Sequence, residues 1–336
     1  MQNGAGAGAC YEDGEYEKAG CKLIEGEDLS RCRVITTVNP PSDSILSTLK
    51  EGTLVVTTAP GLEWEERQEK LLERGVSVIN LAKIPRISRA QSMDALSSQA
   101  NLAGYRAALE AAVNYRRLFP LMMTSAGSAR PARVAVLGAG VAGLQALATA
   151  KRLGADVYGY DIRPEALEDI RSLGARVIEL GEVEAQKGVY ARELNKEETA
   201  QQHSALEETL KDFDVIITAA GLPGKKPPLL VTEKLVRSLK TGSVIVDLLA
   251  ASGGNCELTE KGKTVIRHGV TIVGTSNYAA MVAGDASRFY SKNVYNVVSL
   301  LCVKEGDRII SLDLDKEDEI IKAVLRKGRE QHKLAV

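Results

Sequence analysis

Short apolar runs alternate with charged, helix-patterned segments over most of the chain. In the first third the runs fall at residues 33–38, 53–58 and 76–81, and the segments between them, 42–50 and 62–74, have helical character, the second rich in Glu, Arg and Leu. That alternation predicts a βαβαβ unit with a parallel sheet. A polar loop, 82–94, then leads into residues 95–119, which hold no Pro and one Gly. Ala100, Ala103, Ala107 and Ala111 recur there at helical spacing, so at ~1.5 Å per residue the segment predicts a helix about 35 Å long. The small residues and terminal Pro of TSAGSARP, residues 124–131, predict a boundary.

The alternation resumes with six strand-like runs at 133–137, 156–160, 176–180, 214–218, 243–248 and 270–274, most of them separated by helical segments, as a doubly wound sheet requires. Two helix candidates, 285–303 and 316–332, close the chain. The expected fold class is therefore α/β, with two Rossmann-like parallel-sheet domains joined by long helices and dinucleotide-binding topology in the second. Residues 1–105 with 281–336 are expected to form the first domain, and residues 106–280, including the linker helix, the second.

Composition narrows the function classes. With 336 residues, 44% hydrophobic and 26% charged, the chain is long enough for two cores and has the balance of a soluble globular protein. Lys and Arg number 43 against 44 Asp and Glu, so no basic field exists to hold a phosphate backbone, and nucleic acid is not an expected partner. The longest uncharged stretch, residues 134–150, carries three glycines and a Gln and falls short of the ~20 apolar residues of a membrane span. The start of the chain shows neither a secretory signal nor an Arg-rich transit pattern. Five cysteines with no C-x-x-C point to a reducing compartment, and three histidines without ligand spacing argue against a metal.

The strongest motif is Gly138-Ala139-Gly140-Val141-Ala142-Gly143, which follows the run RVAVL and opens a helix-patterned segment; a second strand then ends in Asp161, followed by Ile162 and Arg163. Each element has a task in holding a dinucleotide. Gly138 makes the tight turn, Gly140 leaves room for a pyrophosphate and Gly143 lets helix and strand pack closely. The anion meets backbone N–H groups at the positive end of the helix, where Val141 and Ala142 stand. A ligand-free glycine-rich turn competes as a reading of the glycines alone, and the acid at 161 weighs against it.

Asp161 favours NAD over NADP, because a carboxylate accepts both ribose hydroxyls whereas a 2′-phosphate meets a like charge. Arg163 is the feature that would suit the phosphate, unless it serves as ordinary ion-pair material. Ala219, Ala220 and Gly221 end the fourth strand and Leu222 begins the next turn. Such small residues suit the close approach of adenosine, although a tight turn explains them equally well. After the fifth strand, Asp247 and Ser252-Gly253-Gly254-Asn255 mark the expected nicotinamide end. Residues 181–201, with Gly188 and Tyr190, read either as a lid or as a solvated charged helix.

A family resemblance rests on four segments together: Pro85-Arg86-Ile87-Ser88-Arg89-Ala90-Gln91-Ser92-Met93-Asp94, Asn101-Leu102-Ala103-Gly104-Tyr105-Arg106, the GAGVAGLQA fingerprint and Gly253-Gly254-Asn255-Cys256-Glu257. In this order the chain, from about residue 4 to residue 301, resembles the NAD(H)-binding first domain of the proton-translocating NAD(P) transhydrogenases, the alpha-subunit region, within the alanine dehydrogenase/transhydrogenase family. The resemblance implies hydride exchange between NADH and NADP, with NADP held by a separate third domain and the reaction coupled to protons through a membrane domain. It implies that Arg86, Gln91 and Asp94 position the nicotinamide and meet the NADP domain, with Ser97 close by in the cofactor site. A homodimer is implied too, peripheral to a membrane complex on its cytoplasmic or organelle-matrix side. Family members begin with a further strand and helix near a G-E-R-R motif, so this chain is expected to lack that element and to leave a sheet edge exposed. Residues 275–284 depart from the family's pattern, and no cofactor contact is carried onto them.

Two rival readings differ in chemistry. An alanine dehydrogenase needs a proton acceptor for an amine, yet the first histidine is His203, and Ala251 stands where such enzymes carry a second Asp. Hydride transfer between two nicotinamides needs neither acid nor base. A non-catalytic NAD-binding protein is the second rival, separated from the first reading only by whether a bound cofactor exchanges hydride.

Overall fold

Three apolar runs of the first unit, Met1–Gln99 with Val282–Val336, become parallel strands, Val34–Thr36, Leu54–Thr57 and Ser77–Asn80, adjacent in that order. The computed structural model describes residues 1–26, 29–59, 61–180, 196–221, 224–306, 308–329 and 333–335. Helices Asp43–Thr48 and Leu62–Glu73 make the two crossovers. The first begins where the Ser42 hydroxyl accepts from the Ile45 N–H; the second buries Trp64 and Leu71 against the sheet. Leu54, Val56 and Ile79 face one core of this unit, while Ile35, Val55 and Val78 face the other, so the central strand is apolar on both sides.

The C-terminal region keeps the first expected helix and departs from the second. Helix Ala283–Leu301 gives way at Cys302 to a hairpin, Cys302–Glu305 with Arg308–Asp313, joined in turn by Lys333–Ala335. The expected helix at 316–332 shrinks to Glu319–Val324. Asp318 caps it by accepting from the Ile320 and Ile321 N–H groups, and Leu325–Arg326 then turns into a strand antiparallel to Ser77–Asn80. Gly328 follows at a point where a Cβ would stand 2.5 Å from the Gly75 backbone.

In the second unit, Ala100–Met281, all six expected strands form one parallel array. The seven-stranded sheet runs Thr264–Arg267, Val270–Val273, Val244–Asp247, Val215–Thr218, Arg133–Leu137, Asp156–Tyr160, Arg176–Val177. The seventh strand, Thr264–Arg267, is an unexpected antiparallel edge. It joins its neighbour through His268 and Gly269, both with positive φ (51° and 78°), the geometry of a tight hairpin turn. The strand at 176 is shorter than expected and ends at Val177.

Helix Ala95–Asn114 is the expected rod, ended five residues early by the buried aromatic pair Tyr115 and Phe119. Ala107, Ala108 and Ala111 are wholly buried. Gly104 packs more tightly still, since a Cβ there would lie 2.0 Å from the Ala142 carbonyl oxygen. The segment 124–131, expected as a boundary, instead carries the turn and second strand of a hairpin, Met122–Thr124 with Gly127–Ala129. Among the described residues no helix is long and apolar enough to cross a membrane, and no group of His, Cys, Asp or Glu is arranged to hold a metal. The fold is mixed α/β with Rossmann-like parallel sheets.

Candidate dinucleotide site

The carboxyl ends of three neighbouring strands, Arg133–Leu137, Asp156–Tyr160 and Val215–Thr218, collect the fingerprint residues. The chain leaves the first of these at Gly138, whose N–H donates to the Tyr160 carbonyl (2.8 Å). Its φ of 101° and a would-be Cβ 2.7 Å from the Ala220 backbone both exclude a side chain. Helix Val141–Arg152 follows, with Gly140 at its cap in ordinary extended geometry (φ −79°, ψ −171°) and no side chain capping the first turn. Gly143 fits because its missing Cβ would fall 1.8 Å from the Gly138 carbonyl oxygen.

Around Gly140 the geometry is the reverse. No atom lies within 4 Å of the place its Cβ would take. An open cradle thus sits directly before the uncapped N–H groups of Val141 and Ala142, at the positive end of the helix. The residues present fit a dinucleotide pyrophosphate at this point.

Asp161 stands at the end of the next strand, with its side chain 9% exposed. Its Oδ2 accepts from the Ala139 N–H (2.8 Å) and from Arg163 Nη2 (3.0 Å); its Oδ1 accepts from the Arg163 N–H (2.9 Å) and Arg163 Nε (2.9 Å). Arg163 Nη2 also reaches the Ala139 carbonyl (3.3 Å). The Arg163 guanidinium is held charged, above its ordinary value, chiefly by that bond to Asp161. Arg163 is therefore folded onto the site, neither a solvated surface group nor a free phosphate partner. Ile162, between them, is half-buried beside the core formed by Tyr160 and Phe213.

Ala219, Ala220 and Gly221 form the opposite lip. Ala219 donates to the Leu137 carbonyl (2.8 Å), and Ala220 is clamped on both sides by Asn255. Asn255 Nδ2 donates to the Ala220 carbonyl (2.8 Å) and the Pro228 carbonyl (2.7 Å), while its Oδ1 accepts from the Ala220 N–H (3.2 Å). Asn255 is in turn fixed by Asp247, which accepts from the N–H groups of Leu249, Asn255 and Cys256 and from the Thr259 hydroxyl. Both side chains are fully buried. Asp247 and Asn255, expected near the nicotinamide end, are struts beneath the lip. Tyr278 closes the same corner, donating to the Val273 and Asp247 carbonyls, its phenol pushed up by burial. Burial also pushes the Cys256 thiol up to about 11.

The remaining site candidates lie in the first unit. The expected polar loop contains a helical turn, Ser88–Met93, with Arg86 and Gln91 on its outer side and Ala90 and Met93 buried beneath. Asn293 and Asn296 both donate to the Ser92 carbonyl (2.9 Å each), and Arg89 forks onto Asp318. Asp94 opens helix Ala95–Asn114 by accepting from the Ser97 N–H (2.9 Å) and hydroxyl (2.6 Å). Asp94 and Ser97 are thus a helix cap as well as site candidates. Tyr190, Leu222 and residues 181–195 of the expected lid lie outside the described residues.

Spacing alone finds the glycines and Asp161. Missed were the strut role of Asn255 and the doubling back of Arg163, because both depend on which partners the fold brings near.

Known proteins share this arrangement at the level of the whole chain. Residues 1–103 match the alanine dehydrogenase/PNT N-terminal domain and residues 107–332 the corresponding C-terminal domain. The chain is 41% identical to the first segment of the NAD(P) transhydrogenase alpha subunit of Rhodospirillum rubrum, over 96% of its own length and 86% of that protein. A transhydrogenase structure from Sinorhizobium meliloti superposes with a TM-score of 0.82 at 38% identity, covering 97% of this chain and 87% of that one. Alanine dehydrogenase 2 of Staphylococcus aureus is more distant, at 28% identity over 84% of this chain and 73% of that protein. With both domains matched and this degree of identity, the chain belongs to the alanine dehydrogenase/PNT family and is a homologue of the NAD(P) transhydrogenase alpha subunits.

Proposed function

We propose that the chain binds NAD(H) in its second unit and presents it for direct hydride transfer to NADP held by a separate domain of a transhydrogenase complex. The observation that carries this reading is the open space over Gly140, with the uncapped helix start behind it and Asp161 beside it. One anion subsite and one diol subsite lie side by side, as a dinucleotide requires. When bound, the dihydronicotinamide supplies a hydride from C4, and the oxidised ring on the partner takes the hydrogen with both electrons. No proton changes hands.

The chain's own task is to bind and orient. Gly138, Gly140, Val141, Ala142 and Gly143 hold the pyrophosphate, Asp161 on the backbone turn it shares with Ile162 and Arg163 holds the adenosine ribose, and Ala219, Ala220 and Gly221 form the approach of the adenine. The carboxylate at 161 selects NAD over NADP by charge. The family resemblance supports roles for Arg86, Gln91 and Asp94 in steadying the ring and meeting the partner, and for Ser97 beside them. In the complex the exchange is coupled to proton translocation by a membrane domain, with this chain a homodimer on the cytoplasmic or organelle-matrix side.

The described histidines favour this over alanine oxidation: His203 bonds the Leu229 carbonyl and His268 bonds Glu233. Mixing the chain with a purified NADP-binding third domain, NADPH, NADH and an NAD analogue tests the proposal. Cyclic reduction of the analogue is expected. Binding of NADH without turnover would make the chain a non-catalytic binding protein, and NADH formed from L-alanine and NAD would make it an alanine dehydrogenase.

A further inference from the structure

The carboxylate of Asp161 has about four acceptor positions, and all four are taken. Two donors, the N–H groups of Ala139 and Arg163, belong to the backbone of the turn and stay with the fold. The other two, Nε and Nη2 of Arg163 at 2.9 and 3.0 Å, come from one side chain that is 26% exposed and not part of the backbone turn. A guanidinium fork and a ribose diol present the same thing to a carboxylate: two adjacent donors.

We infer that Arg163 is an internal occupant of the ribose subsite, displaced when NAD(H) binds, and that its tie to Asp161 is what denies NADP a phosphate partner. The inference rests on the dinucleotide reading above. Exchange of the fork for the diol conserves the number of bonds at Asp161, so NADH enters by substitution. A 2′-phosphate brings no second hydroxyl donor and carries about two negative charges near pH 7. To turn that same fork onto the phosphate, Arg163 must abandon Asp161, leaving the carboxylate short of two donors beside a dianion.

Binding of NADH and NADPH to the full chain, to R163A and R163Q, and to D161N with and without R163A tests this by fluorescence titration. Both Arg163 variants are expected to bind NADH about two- to fivefold more tightly, the range of a partly exposed ion pair removed as a competitor. D161N is expected to gain NADPH affinity tenfold or more, and D161N/R163A to lose that gain. The inference is overturned if R163A and R163Q both bind NADH more weakly, since the guanidinium then holds the cofactor directly, or if the NADPH gain of D161N persists without Arg163 or never appears. Failure of the unaltered chain to bind NADH would instead remove the dinucleotide reading itself, so the two failures are distinguishable. Melting curves for each variant separate lost binding from lost fold.

Discussion

Gly140→Ala should separate folding from binding. Its φ of −79° suits alanine, and no atom lies within 4 Å of the added methyl, so the folded state accepts it without strain. Replacing glycine at a compatible position stiffens the unfolded chain and stabilises by about 0.4–1 kcal/mol, which offsets a loss of roughly the same size from alanine at a helix N-cap. At roughly 2–4 °C per kcal/mol for a unit of this size, the melting temperature should hold within about 4 °C. The same methyl fills the cradle before the helix start. A phosphate pushed off one charge-assisted N–H bond forfeits about 1.5–3 kcal/mol, a tenfold to hundredfold loss of NADH affinity. Gly143→Ala is the control, because its Cβ would overlap the Gly138 carbonyl and must displace backbone, lowering stability by several kcal/mol. Differential scanning fluorimetry and NADH fluorescence titration read the two effects. A Gly140→Ala protein that melts normally and binds NADH like the parent would refute the placement of the pyrophosphate.

Other substitutions probe the supports. Asn255→Ala strips partners from the Ala220 N–H and the Ala220 and Pro228 carbonyls and should cost about 2–5 kcal/mol in urea denaturation; an unchanged midpoint would show that the lip stands without its strut. Burial alone would raise the Asp214 carboxyl, but the Arg130 fork (2.8 Å twice) and the Arg133 N–H outweigh it and hold the group below its usual range. The stability it contributes is full above the unfolded value of about 3.9 and is lost as pH falls through the lower folded value. The stability gap between the parent and Asp214→Asn should therefore narrow in acid melts below about pH 4; a gap constant with pH would contradict the assignment. Cys256, 3% exposed and protonated up to about 11, should resist iodoacetamide at neutral pH while exposed Cys10 and Cys21 react, as peptide mass spectrometry would record. Equal labelling would refute its burial.

How much of the molecule is legible in its sequence follows from where each signal lies. Strands such as Leu54–Thr57, Val215–Thr218 and Val244–Asp247 are buried on both faces, so their unbroken apolar runs stand out. Thr264–Arg267 does not, because it is a largely exposed edge and turns through His268-Gly269 in place of the commoner Asn-Gly or Asp-Gly. The helix expected at 316–332 is too long because its periodicity continues past the point where Gly328 meets Gly75 and Leu325 pairs with Ile79, both contacts remote in sequence. Within the site, the three glycines and Asp161 carry their meaning in local spacing. Asn255 finds its carbonyl partners 35 and 27 residues away, so no local pattern announces it. Arg163 lies only two residues from Asp161, yet sequence leaves open whether it points at the carboxylate or away from it.

The central claim is that one nicotinamide passes its hydrogen directly to another. NADH carrying deuterium on the transferred face of C4, mixed with this chain, a third domain and NADP, supplies the measurement. Mass spectrometry of the NADPH formed should find the deuterium retained at C4. Unlabelled NADPH, with the deuterium lost to water, would contradict the account.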